Sequence, residues 1–163
     1  MFILSCGCLQ ICFGQETIPV NKLREGLPTL KEVGGLKRSV PILDAGEANV
    51  RYEKIAYEPP SYEVSISELP PSILALRESM PKFNVPIGVG EDGDGRSSKN
   101  VILKDKYKAT ESATKNSDGD CLVEFYIGKK ISVSIRGTGT NNVKSIYLIL
   151  DSMALDKLEK IAQ

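Results

Sequence analysis

The chain contains no histidine and no tryptophan. Without histidine it lacks the commonest general base and the commonest metal ligand together. An excess of one charge is missing too, because 21 Lys and Arg balance 21 Asp and Glu. No net positive field exists to hold a phosphate backbone, which argues against a general nucleic-acid binder. No run approaches the roughly eighteen apolar residues of a membrane-spanning helix. No nucleophile elbow, phosphate-binding loop or dinucleotide fingerprint is present. Gly88-Val89-Gly90 and Gly93-Asp94-Gly95 do not lead from a strand into a helix. Cysteine is scarce beyond the start, with only Cys121 after Cys12. What remains is an ordinary apolar share, 41% of 163 residues, enough for one domain with a usable core.

The stretch from Val101 to Ile161 organises that domain. Ile131, Val133 and Ile135 alternate with Ser132, Ser134 and Arg136, the period of a strand with one buried and one wet face. Cys121, Val123, Phe125 and Ile127 share a face in the strand before it, with Leu122, Glu124 and Tyr126 on the other. Gly128 can supply the positive φ of the turn between them. Asn141 or Asn142 suits a helix N-cap. Val143, Ile146, Tyr147 and Leu150 then form one helical stripe, which Leu155, Leu158 and Ile161 continue. Upstream, Ala48 to Tyr57 and Tyr62 to Ile66 read as an antiparallel pair joined by a proline-containing turn. A small helix is expected from Pro71 to Met80, where Pro near the first turn is tolerated. The expectation is an α+β fold: an antiparallel sheet of about six strands, a short helix after the second, and a long C-terminal helix packed on the sheet.

Three segments follow from these patterns. Residues 1–14 are signal-like, 15–47 a linker or arm, and 48–163 a single α+β domain. Phe2 to Phe13 is apolar and uncharged, as the core of a signal peptide is. Cys12-Phe13-Gly14 fits a small-x-small cleavage site that would leave Gln15 first. Ile3-Leu4-Ser5-Cys6 also fits a degenerate lipobox with Cys6 lipidated, and a buried N-terminal strand is the third reading, since a positive n-region is absent. The expected location is periplasmic or secreted, with a lipid anchor as the variant that touches a membrane. Prolines and glycines interrupt 15–46, while Leu23, Leu27, Leu30, Val33 and Leu36 are spaced almost helically. That spacing allows a short amphipathic helix, and the mildly basic stretch reads as a solvated tether or as an arm that folds over the domain, the tether being preferred.

No catalytic, cofactor-binding or metal-binding residue is nominated. Cys121 reads as a small buried hydrophobe, with no histidine to activate it as a nucleophile. Glu91-Asp92-Gly93-Asp94-Gly95 fails the twelve-residue calcium pattern, because Arg96, Ser97 and Leu103 stand at required positions. It and Asn116 to Asp120 read as turns, with Pro86 to Asn100 as loop. Gly137 to Asn142 sits between a strand and a helix N-terminus, where a small anion would be sought first, though a capping connection is the simpler reading. An enzyme would need Glu124 paired with Asp105 or Glu111 in a cleft. A carrier of a hydrophobic ligand or lipid would use Phe83, Phe125, Tyr126, Ile146 and Leu150 between sheet and helices.

One resemblance adds to this. The Ile66-Ser67-Glu68-Leu69 step, the Gly119-Asp120-Cys121-Leu122-Val123 strand start, the Ile131 to Gly137 strand and the closing Asp151 to Leu155 and Leu158 resemble a group of small, uncharacterised bacterial envelope proteins. The element order is similar to the PsbP/Mog1-type α/β sandwich. That resemblance implies binding or assembly rather than catalysis. The expected function is thus a non-enzymatic secreted or envelope-associated binding domain whose partner is another protein, with no cofactor and no nucleic acid.

Overall fold

A computed structural model describes residues 17–70, 72–75, 90–91 and 95–163. The signal-like segment, Phe83, Asp92 and Asp94 therefore lie outside the described residues. Along the chain come α1 (Val20–Arg24), β1 (Glu32–Val33), β2 (Leu36–Arg38), β3 (Ile42–Asp44), β4 (Glu47–Glu53), β5 (Ser61–Glu68), β6 (Gly90–Glu91), β7 (Arg96–Leu103), β8 (Tyr107–Thr114), β9 (Cys121–Ile127), β10 (Ile131–Thr138), α2 (Val143–Asp151) and α3 (Leu155–Ala162). Residues 72–75 are also helical, and the rest of the helix expected over Pro71 to Met80 is not described.

The strands form one sheet in the order β1-β2-β4-β5-β10-β9-β8-β7-β6, with β3 also paired to β4. Every pairing is antiparallel. The α+β class with an antiparallel sheet is therefore correct. The strand count needs correcting, from about six to ten among the described residues. Of the six long strands, β4, β5, β9 and β10 fall where the four patterned strands are expected, and β7 and β8 fall on the less regular strand pair expected over Ile102 to Ser112. β1, β2, β3 and β6 are too short, at two or three residues each, to leave a period in the sequence. β7 begins at Arg96, inside the stretch read as loop. Its first five residues are polar, and backbone pairing of Arg96 to Asn100 with Thr114 to Thr110 makes the strand.

The long C-terminal helix is corrected to two short ones, α2 and α3. Ser152 breaks the run. Its carbonyl oxygen accepts the Thr29 N–H at 3.1 Å, which takes it away from the helix ladder. Its hydroxyl turns back to the Ile149 carbonyl at 2.8 Å, and the Leu30 N–H donates to that hydroxyl at 3.3 Å.

Strand parity sorts the sheet. Ala48, Val50 and Tyr52 of β4, Tyr62, Val64 and Ile66 of β5, and Val123, Phe125 and Ile127 of β9 are all buried. Ile131, Val133 and Ile135 of β10 complete that face. They join one core with Leu23 of α1, Ile146, Ile149 and Leu150 of α2, and Leu155 and Leu158 of α3. All three labelled helices therefore cover the same face. Gly128, at φ +56°, makes the β9–β10 turn as its permissive backbone allows.

The stretch read as a solvated tether or a folded-over arm is, from Thr17 onward, an arm packed on the domain, and its start holds the short helix α1. Leu23, Leu27, Val33 and Leu36 are buried. Tyr52, fully buried, donates its hydroxyl to the Leu30 carbonyl at 2.8 Å. The near-helical leucine spacing was a packing signal spread over a helix, two turns and two short strands.

Candidate interaction surface

On the face away from the helices most side chains are polar, though Leu122, Tyr126 and the exposed Ile102 also lie there, and burial ranges from the exposed Asn100 to the buried Ser112. Register aligns Asn49, Ser65, Ser134, Glu124, Thr110 and Asn100 in one row over β4, β5, β10, β9, β8 and β7. The next row runs Glu47, Ser67, Ser132 and Tyr126. Four serines thus make a two-by-two patch at the centre of the sheet. Polar bonds hold its flank: Ser65 donates to Glu47 at 2.5 Å, and Arg51 pairs with Glu63 at 2.8 Å. The Arg51 guanidinium also lies 4.9 Å from the centre of the exposed Tyr57 ring. None of the three labelled helices packs on this face. A polar sheet face is the usual wet side of an antiparallel sheet, yet Asn49 Oδ1 and Thr110 Oγ1 on this face are buried with no hydrogen-bond partner among the described residues.

At the helix side, two clusters of the same composition tie helices to β8. Tyr147 of α2 donates to Glu111 at 2.6 Å, and Lys99 reaches the same carboxylate at 2.8 Å. Tyr107 donates to Glu159 of α3 at 2.7 Å, and Lys106 also pairs with Glu159. Burial, then the hydrogen bond to Glu111, pushes the Tyr147 phenol up to about 12. Burial and Glu159 raise Tyr107 as well. The Lys106 and Tyr107 hydrogen bonds hold Glu159 below the usual carboxylate range.

A pH dependence follows for Tyr147. Its folded pKa lies above the ordinary value, so the neutral phenol favours folding. That stabilisation is complete below pH 10 and is lost as pH rises from 10 toward about 12. Tyr147→Phe is expected to cost about 1–2 kcal/mol at neutral pH. It should also flatten the alkaline fall in stability, read by denaturant titrations at several pH values. An unchanged alkaline slope in the variant would remove Tyr147 as its source.

The residues singled out for chemistry do not converge. Register pairs Thr110 with Glu124 and Glu111 with Val123, so Glu124 lies on the polar face and Glu111 on the helix side. Asp105 sits in the β7–β8 turn at φ +56°. Cys121 is 1% exposed, and burial pushes its thiol up to about 11. It packs as the small hydrophobe expected of it. Among the described residues no three potential metal ligands cluster. No helix among them is long and apolar enough to cross a membrane. Phe125, Ile146 and Leu150 are core, whereas Tyr126 lies on the opposite face, so they line no common space.

The loop after β10 is tied down by its neighbours. The Gly139 N–H donates to the Asp120 carboxylate at 3.2 Å. Asn141 donates its amide to the Thr114 carbonyl at 3.3 Å, and Tyr62 donates to the Asn142 carbonyl at 3.2 Å. An anion there would meet the Asp120 carboxylate, which favours the connecting role. Asn142 precedes α2 as expected but makes no side-chain cap; its amide donates to Ser145 instead, at 3.1 Å.

A feature the sequence reading missed lies at the other end of the sheet. A cleft of about 750 Å3 opens where β4 begins and β5 ends. Residues 17–20 form one wall, the Ala45-Gly46 turn with Glu47 a second, and Ser67 to Pro70 a third. The Ile18 N–H donates to Glu68 at 2.9 Å, and the Leu69 N–H to the Lys130 carbonyl at 2.7 Å. The Ile66 to Leu69 step was the available signal, but only folding brings Ile18 beside it. Comparison of the chain with protein-family models, curated proteins and solved structures finds no match.

Proposed function

We propose that the chain is a non-enzymatic, secreted or envelope-associated domain that binds another protein through the polar face of its sheet. The observation that carries this reading is the one-sided packing: the labelled helices and the core share one face. The opposite face offers the polar rows centred on Ser65, Ser67, Ser132 and Ser134. Dispersal of Glu124, Glu111 and Asp105 and the absence of histidine support binding over catalysis. The uncharged apolar stretch from Phe2 to Phe13 and the resemblance to small envelope proteins support export, by signal cleavage at Gly14 or lipidation at Cys6. A second reading, a carrier of a hydrophobic ligand or lipid, is favoured by the strand-end cleft rather than by the space between sheet and helices.

The test is Ser134→Arg, which puts a long charged side chain at the centre of the patch. The unmodified chain should bring down one protein at a constant ratio from its host's envelope fraction, as read by native mass spectrometry. The variant should lose that complex by at least about tenfold in affinity, with its thermal transition nearly unchanged. Retention of the complex by a folded variant would refute use of this face.

A further inference from the structure

The cleft at the strand ends combines three properties that restrict what it can hold. Its volume of about 750 Å3 falls within the roughly 300–1,000 Å3 of small-molecule sites. Its walls are largely apolar, from Ile18, Pro19, Val20, Leu69 and Pro70. Among the described residues its charged groups are two carboxylates, Glu47 and Glu68, and no lysine or arginine lines it.

Each carboxylate is oriented by the protein through one oxygen. Glu47 accepts the Ser65 hydroxyl on Oε1, and Glu68 accepts the Ile18 N–H on Oε2. The second oxygen of each has no partner among the described residues, so each retains acceptor capacity. The walls are fixed as well. The Glu68 N–H donates to the Gly46 carbonyl at 2.8 Å, and the Ala45 N–H donates to the Asp44 carboxylate at 2.7 Å. Gly46 supports that turn at φ +75°, a backbone state glycine adopts without a Cβ penalty.

We propose that this cleft binds a small amphipathic cation, a primary ammonium on an apolar stem. The ammonium supplies the donors that the free carboxylate oxygens accept, and the stem covers Ile18, Val20 and Leu69. An anionic amphiphile of equal length meets like charge instead. The cleft adjoins the sheet-face patch and shares Glu47 and Ser67 with it, whereas Ser134, the position varied in the sheet-face test, is not among its lining residues, so the two readings can fail separately.

The experiment is a titration of the full chain followed through its backbone amide resonances, with octylammonium, hexylammonium and octanoate as probes. Octylammonium should move the amides of Gly46, Glu47, Glu68 and Leu69 saturably. Octanoate should bind at least about tenfold more weakly, since like-charge contact is penalised. Hexylammonium, two methylenes shorter, should bind up to about fifteenfold more weakly than octylammonium, because each fully buried methylene is worth about fourfold in affinity. A variant carrying both Glu47→Gln and Glu68→Gln keeps acceptors for Ser65 and Ile18, and should lose at least about fivefold for octylammonium. Equal binding of octanoate, shifts centred elsewhere, or no saturation by octylammonium would each overturn the proposal. These outcomes are read on the unmodified chain and do not depend on the variant folding.

Discussion

Phe125→Ala should destabilise the protein by about 3–5 kcal/mol, the range for truncating a buried aromatic. Phe125 is fully buried on β9, between Val133 of β10 and Ala109 of β8 in register. The small Ala109 leaves space that the ring fills, and Tyr107 lies beside it with ring centres 5.5 Å apart. Loss of the ring leaves a cavity inside hydrogen-bonded strands, which cannot slide together without breaking register. Since a domain is typically stable by about 5–15 kcal/mol, the variant would lose a large share. Its thermal midpoint should fall by roughly 10 °C or more. The chain has no tryptophan, so unfolding in urea is best followed by circular dichroism. A loss below about 1 kcal/mol would mean that the ring is not enclosed as described.

The second large effect concerns Gly26 and Leu158. A Cβ on Gly26 would collide with the branched end of the Leu158 side chain, which is fully buried on α3. The contact joins the stretch after α1 to the C-terminal helix. Gly26→Ala alone overpacks this point and should cost about 1–3 kcal/mol. Leu158→Ala alone opens a cavity and should cost about 2–5 kcal/mol. The double variant should cost less than the sum by about 1–3 kcal/mol, since the new methyl enters the space left by leucine. Strict additivity would show that the two sites do not touch, and would return the stretch before β1 to the role of a tether.

How far the sequence carried the fold can be argued from particular residues. Ile131, Val133 and Ile135 predicted their own burial, because a long strand repeats its period several times. Gly128 marked its turn by local chemistry alone, whereas Asn142 stands at the start of α2 without making the side-chain cap expected of it. Leu23, Leu27, Val33 and Leu36 misled, because each buried side chain sits in an element too short to show a period. Ser152 misled for another reason. Its break depends on Thr29, 123 positions earlier, and nothing near Ser152 announces that partner. The polar face was legible as the wet side of β10 but not as a surface, since register alone brings Ser65 beside Ser134. The cleft was not legible, because Ile18 and Glu68 meet only after folding.

That long-range bond has a kinetic side. β10 lies between β5 and β9, so the middle of the sheet is filled by the last strand to be synthesised. Until it arrives, β4 and β5 have no neighbour to connect them with β7, β8 and β9. The residues around Thr29 likewise wait for Ser152. Pairings so distant in sequence slow folding, because loop-closure entropy must be overcome before they yield any gain. A chain growing from the ribosome therefore carries its apolar strands without a continuous sheet until β10 has emerged. An exported chain would remain threadable through a narrow channel for that whole interval.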